Sequence, residues 1–230
     1  MNGASFSGDS VAPGEILSIF GSGLGPAAPV SPQRTPDGQF FTASLAGTRV
    51  LFDGVPAPMI LASAGQVSAI APYGLAGSSA TQIRVEYQGN TSDPFPLPVV
   101  SSAPAIFTVA ATRKGQGAIL NRDFSPNGPS NPAAPGSIVM IYATGEGQTD
   151  PPGADGKLTN DVLPRPLQAV GVQIGGVDAD VLYAGGAPGL VAGLLQVNVR
   201  VPAGISDPAA PVLLRIGGAA GPVGATLAVQ

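Results

Sequence analysis

Histidine, cysteine and tryptophan are all missing from this 230-residue chain, and only 10% of its residues are charged. Without histidine it lacks the side chain that most often serves as general base, metal ligand or pH switch. Without cysteine it has no disulfide, thiolate nucleophile or thiolate metal site. A serine nucleophile would need Lys114 or Lys157 to activate it, and no serine stands in a Ser-x-x-Lys spacing. Basic residues are scattered singly except Arg113-Lys114, and the net charge is −4. That leaves no basic footprint for nucleic acid. No apolar run approaches the roughly 18 residues of a membrane span, so membrane insertion is not expected.

What is abundant is glycine, 33 residues, and proline, 25, set between short apolar runs. Glycine and proline used as punctuation favour many short strands joined by tight turns. No segment has a helical apolar period.

The chain also repeats itself. Ala12-Pro13-Gly14-Glu15-Ile16 returns as Ala134-Pro135-Gly136-Ser137-Ile138, Gly23 and Gly25 as Gly145 and Gly147, and Gly54-Val55-Pro56-Ala57 as Gly176-Val177-Asp178-Ala179, all 122 positions on. Beyond a loop the spacing becomes 130, where Gln66-Val67 and Pro72 match Gln196-Val197 and Pro202. A shared spacing over so many positions predicts one unit used twice. Seven or so short strands per hundred residues predict that each unit is an immunoglobulin-like β-sandwich. The expected fold is therefore all-β: two tandem immunoglobulin-like β-sandwich domains related by internal duplication, 1–102 and 103–230. Strands are expected near 15–20, 48–52, 57–61, 66–71, 81–87 and 95–100, then 137–143, 169–174, 179–184, 195–201, 212–216 and 225–229. Flanking strands are expected at 4–6, 106–110 and 117–121. Ser101-Ser102-Ala103-Pro104 reads as a short stiff joint, because proline fixes its own φ and extends the residue before it.

Long loops follow the first strand of each copy, at 26–45 and 148–167. Phe40 and Phe41 fall opposite Val162 and Leu163, which predicts that the first loop is pinned to its own domain, against the alternative of an aromatic ligand platform. The paired glycines after each first strand are expected to supply positive φ at a corner, since Pro26 follows instead of the helix that a phosphate-cradling loop requires.

Few side chains suggest chemistry. Only Glu146 of the three glutamates sits in an apparently open loop, and no catalytic residue or cofactor is expected. Asp150, Asp155 and Asp161 share one loop and are the calcium candidates, because hard oxygen ligands suit that ion. Their spacing is not that of an EF-hand, and surface solvation is the default. Tyr142, Tyr183 and Tyr87 align with apolar residues and are expected in the core. Tyr73 faces Ala203 and is the one tyrosine left for a contact surface. The copies differ most where three residues between Ala62 and Gln66 become eleven between Ala184 and Gln196. This inserted apolar loop, 185–195, has no charge, so Leu190, Val191 and Leu194 are expected against the first domain, a second chain or a ligand, unless the loop folds over its own core.

Several motifs are specific. Asn2-Gly3-Ala4-Ser5-Phe6, Val11-Ala12-Pro13-Gly14-Glu15-Ile16, Gly115-Gln116-Gly117-Ala118-Ile119-Leu120-Asn121, Ile141-Tyr142-Ala143-Thr144-Gly145-Glu146-Gly147-Gln148-Thr149 and Leu195-Gln196-Val197-Asn198-Val199 resemble the Solibacter-type uncharacterised C-terminal domain family of Acidobacteria. The resemblance spans essentially the whole chain. It implies tandem IPT/TIG-like modules at the end of a larger, exported protein, with an extracellular or cell-surface location, and it brings no catalytic residues. No signal peptide is read at Met1, which looks like a start placed before an excised segment. The resulting expectation is a non-catalytic structural or adhesion module. The alternatives are a module binding a glycan or another surface protein, and a subunit that assembles with itself through edge strands at Ala4–Phe6 and Ala225–Val229.

Overall fold

The computed structural model describes residues 1–230 and is all-β, with one 3-10 turn at Tyr73–Leu75 and no α-helix. No helix is long and apolar enough to cross a membrane.

In the N-terminal half the principal strands are β1 (Ile16–Phe20), β2 (Thr48–Phe52), β3 (Met59–Ala62), β4 (Gln66–Ile70), β5 (Ala80–Tyr87) and β6 (Phe95–Pro98). Strands β1, β4 and β3 form one sheet in that order, and β2, β5 and β6 form another. The C-terminal half contains β7 (Gly115–Gln116), β8 (Ile119–Asn121), β9 (Ile138–Thr144), β10 (Val170–Ile174), β11 (Val177–Gly186), β12 (Leu195–Arg200), β13 (Asp207–Ile216) and β14 (Ala225–Val229). These make one continuous sheet, in the order β7-β14-β13-β10-β11-β12-β9-β8.

Alternation drives the burial. Along β5, Thr81, Ile83 and Val85 point inward while Ala80, Gln82 and Arg84 face solvent, the period-two pattern of a half-buried strand. Leu17, Val50, Phe52, Met59, Val67 and Leu97 close one core. Val139, Ile141, Ile174, Val197, Leu214 and Leu227 belong to a second.

Pairings in the two halves run in step. Ile19 lies opposite Val67 and Ile141 opposite Val197; Val50 faces Val85 and Val172 faces Leu214. A register slip between Met59 and Leu61 is matched by one between Val181 and Tyr183. One difference is sharp. Strand β11 runs unbroken for ten residues and joins β10 to β12, whereas the matching stretch of the N-terminal half breaks into Val55–Pro56 and Met59–Ala62. Pro56 and Pro58 stand where β11 has Asp178 and Asp180, and a proline cannot donate to a ladder.

Several expectations fail locally. Ala4 and Ser5 lie in a turn, with Phe6 after it at φ 53, and of 106–110 only Ile106 is strand, paired with Ala105 before it in one short element. Strand β14 is not an open edge: it pairs with β13 on one side and β7 on the other. Tyr142, Tyr183 and Tyr87 are half-buried instead of core. Of the corner glycines, Gly23, Gly145 and Gly147 have positive φ, but Gly25 does not; a Cβ there would stand 2.9 Å from the Ser63 carbonyl.

Candidate functional site

The most elaborated region is the junction between the halves. It starts from the repeated Ala-Pro-Gly turn. Pro13 presets its first corner, Gly14 takes φ 73 at the second, and the Glu15 amide closes it on the Ala12 carbonyl. The later copy of the turn closes the same way, the Ser137 amide on the Ala134 carbonyl, and the Ser137 hydroxyl adds a second bond to that carbonyl. Glu15 instead folds its carboxylate back, so that Oε2 accepts the Ala12 amide at 2.7 Å. Its side chain is completely buried, and Oε1 has no hydrogen-bond partner.

Four hydrogen bonds cross to the other half from this turn and the segment after β4. The Ile16 amide donates to Thr144 Oγ1 at 2.9 Å, and the Thr144 hydroxyl donates to the Gly193 carbonyl at 2.8 Å. The Tyr73 amide donates to Asp155 Oδ1 at 2.8 Å. Gln148 Nε2 donates to the Tyr73 carbonyl at 2.6 Å, and the phenol reaches Glu146 Oε1 at 3.3 Å. The ring lies between two glycines: a Cβ at Gly14 would come within 2.5 Å of it, and one at Gly153 within 2.3 Å. Beside it Ile16 and Ile70 pack on Leu158 and Val191, with Phe41 and Leu194 at the margin.

The linker is equally fixed. The Ala103 amide donates to the Gly145 carbonyl, Asn2 Nδ2 to the Ala103 carbonyl, and Ser102 Oγ to the Ile216 carbonyl. Any Cβ at Gly147 would lie 1.9 Å from the Ser101 carbonyl oxygen, so this approach requires glycine.

Electrostatically the junction holds two acids that resist ionising. Burial pushes Glu15 up to about 8; the Ala12 amide, the Asn2 side chain and the terminal ammonium hold it down, and Glu146 pushes it further up. Burial likewise pushes Glu146 up to about 7, against its backbone hydrogen bond and the Tyr73 phenol. Tyr73 is held well above its ordinary value by burial and by Glu146. Glu146 Oε2 is a second buried oxygen without a partner.

Comparison with known proteins adds little. No family model matches the chain, and no curated protein matches it. Among solved structures it is similar to domains 4–9 of the surface layer protein SbsC, at 13% identity and a TM-score of 0.23. That alignment covers 96% of this chain and 31% of the other, so the chain spans about a third of that structure's length.

The residues singled out from sequence are placed as follows. Tyr73 is not a free surface ring: it is 7% exposed and sits inside the junction. Glu146 is not in an open loop but is buried. Val191 is buried against Ile16 and Ile70, Leu194 is half-buried beside them, and Leu190 is exposed. The loop at 26–45 is tied to the other half as well as its own, through the Phe41 amide on Gly156, the Leu158 amide on Gln39 and a bridge from Phe40 to Lys157. Asp150, Asp155 and Asp161 are all exposed; Asp155 is engaged by Tyr73, and Asp161 lies 3.9 Å from Lys157. No three acids gather to hold a metal ion.

Sequence reasoning missed Glu15 and Thr144. The one signal for Glu15 was an acid in a repeated turn whose counterpart is Ser137, immediately ahead of an apolar strand. For Thr144, whose counterpart is Ser22, there was none.

Proposed function

We propose that this chain is a non-catalytic structural or adhesion module, two immunoglobulin-like sandwiches (1–102 and 103–230) made by duplication and locked into one rigid unit. The duplication is supported by strand pairs that keep their spacing between the halves, register slip included. The observation that carries the function is the junction itself. Its polar and apolar contacts are spent on fixing one half against the other, through Thr144, Tyr73, Asp155 and the Gly147–Ser101 approach. A module that holds its ends in fixed alignment suits a spacer or a rigid presenting arm.

Raised carboxyl pKa values often mark general acids, so the rival is an acid–base site at Glu15 and Glu146. Against it, no histidine, cysteine or free lysine accompanies them, and the groups that act on them are the Tyr73 phenol, the Asn2 side chain, backbone amides and the terminal ammonium. A cell-surface or extracellular setting draws on the motif resemblance alone, as does membership of the Solibacter-type family.

Small-angle scattering tests the reading. The full chain is expected to scatter as a single rigid particle, and Val191→Asp, which charges the junction's apolar cluster, is expected to broaden the distance distribution. Scattering that already requires freely jointed halves in the unaltered chain overturns it.

A further inference from the structure

A cleft of about 400 Å³ opens between the two halves, beside the junction. Its N-terminal wall is made by Pro13 of the repeated turn, Ser78 after the 3-10 turn, and Val99 and Ser101 where β6 runs into the linker. Its C-terminal wall is made by Gln148, after β9, and by Leu167 and Gln168, ahead of β10. The Leu167 amide donates to the Gln148 carbonyl at 2.9 Å and holds these two segments side by side. No residue lining the cleft carries a charge. Its volume is at the lower end of small-molecule sites, and such sites favour domain interfaces.

The polar groups of the cleft have hydrogen-bonding capacity to spare. Gln168 Oε1 is buried without a partner. Its carboxamide packs on Gly217, at φ 58, where a Cβ would come within 2.5 Å of that oxygen. Gln148 gives Nε2 to the Tyr73 carbonyl at 2.6 Å, which fixes the second carboxamide and leaves its Oε1 as an acceptor. Ser78 and Ser101 add two hydroxyls on exposed residues, and Leu167, 65% exposed, adds an apolar surface.

A buried acceptor with no partner favours a ligand that brings it a donor. Carboxamides and hydroxyls both donate and accept, as the hydroxyls of a sugar do. A charged ligand would give up its hydration here and meet no countercharge. A peptide adding as a strand would need free backbone amides along an edge. Those of Ser78, Val99, Val100 and Leu167 are already donated to the carbonyls of Leu75, Ser79, Val11 and Gln148.

We infer that this cleft binds a neutral saccharide unit, with its hydroxyls shared among Gln168, Gln148, Ser78 and Ser101 and its apolar face on Leu167 and Val99. The site needs both walls in register, so the inference rests on the rigid junction proposed above and gives the adhesion reading a ligand class. With no aromatic ring in the cleft to stack on, hydrogen bonds carry the selectivity.

The test follows the side-chain carboxamide signals of the full chain by NMR while glucose, galactose, mannose or N-acetylglucosamine is added, with glucuronate as the charged control. At least one neutral sugar is expected to shift the Gln148 and Gln168 signals saturably, and glucuronate is not. Gln168→Met keeps the bulk of the side chain and removes the buried acceptor, so binding read at Gln148 should weaken about tenfold. Ser78→Ala, at an exposed position, should weaken it severalfold without disturbing the fold. No saturable shift with any of the neutral sugars, equal shifts with glucuronate, or unchanged binding in both variants overturns the proposal. So do saturable shifts with the blocked peptide acetyl-trialanine-amide in place of the sugars, which would assign the cleft to a polypeptide. Small-angle scattering from the same solution separates the two levels: a rigid particle that binds no sugar refutes the site alone, and freely jointed halves refute the junction and the site with it.

Discussion

The two buried glutamates make stability fall as the solution becomes more alkaline over a range where most proteins are indifferent. Both carboxyls have folded pKa values above the ordinary 4.5, about 8 for Glu15 and about 7 for Glu146. A carboxyl raised in the fold contributes its full advantage below its unfolded value and loses it as pH climbs through its folded value. The window is therefore pH 4.5 to 7 for Glu146 and 4.5 to 8 for Glu15. At 1.36 kcal/mol per pH unit, the full effects are about 3 and about 5 kcal/mol. Each acid loses part of that when the junction relaxes to admit water, which the polar cavity of about 240 Å³ beside Glu15 favours. A net loss of a few kcal/mol between pH 5 and 8 is the working expectation. Urea unfolding at five pH values from 5 to 9, followed by far-UV circular dichroism because the chain has no tryptophan, measures it. The double variant Glu15→Gln, Glu146→Gln keeps an acceptor for the Ala12 amide and removes both titrations. It is expected to be no more stable than the parent at pH 5, but more stable by a few kcal/mol at pH 9, with only the shallow rise between that the Met1 ammonium contributes, because burial lowers its pKa. A parent whose stability is constant or rises from pH 5 to 8, or a variant that keeps the parent's slope, refutes the reasoning. Asp37 and Asp123 do not confuse the measurement, because their hydrogen bonds to Thr35 and Ser125 lower them and place their transitions on the acid side.

Gly147→Ala adds a Cβ 1.9 Å from the Ser101 carbonyl at a backbone φ of 76, so thermal unfolding should show a loss of about 2–4 kcal/mol, against about 1 kcal/mol for Gly38→Ala, where only φ is unfavourable. Thr144→Val removes the hydroxyl that takes the Ile16 amide and should cost about 1–3 kcal/mol by the same assay, the penalty of a buried donor left alone. Ile141→Ala, at the centre of the C-terminal core, should cost about 2–5 kcal/mol through the cavity it leaves. Millimolar calcium should leave the unfolding midpoint unchanged, because the exposed Asp150, Asp155 and Asp161 face no shared centre; a saturable rise lost in Asp155→Ala would contradict this.

The strands were legible because alternation and turn punctuation are local. Thr81, Ile83 and Val85 announce their burial through spacing alone, and the Ala-Pro-Gly turn announces itself twice. The junction was hidden because its contacts join residues far apart in the chain. Nothing around Tyr73 indicates that Gly14, Gly153, Glu146 and Asp155 converge on it, and its lone mismatch with Ala203 pointed toward solvent when it meant the opposite. Glycines were visible but their reasons were not: Gly25 and Gly147 make room for distant backbone, which no local pattern records. The loop at 185–195 was conspicuous for lacking charge, and apolar composition is a local signal even when the partner is remote.

The joint between the halves has a polarity that limits how the architecture can grow. Its receiving face is made by Gly14, Ile16, Ile70 and Tyr73, and its inserting element is the eleven-residue connection that carries Val191. At the matching places the C-terminal half has Gly136, Ile138, Arg200 and Ala203: a charged, solvent-exposed arginine where the socket has a buried isoleucine, and a methyl group where it has a phenol. The N-terminal half, in turn, has only Ser63-Ala64-Gly65 where the plug should be. A further unit could not dock on either end by the same contacts, because one end lacks the socket and the other lacks the plug. This joint is therefore self-terminating: the same contacts cannot be repeated at either end, unlike the open head-to-tail series that a symmetric repeat would permit.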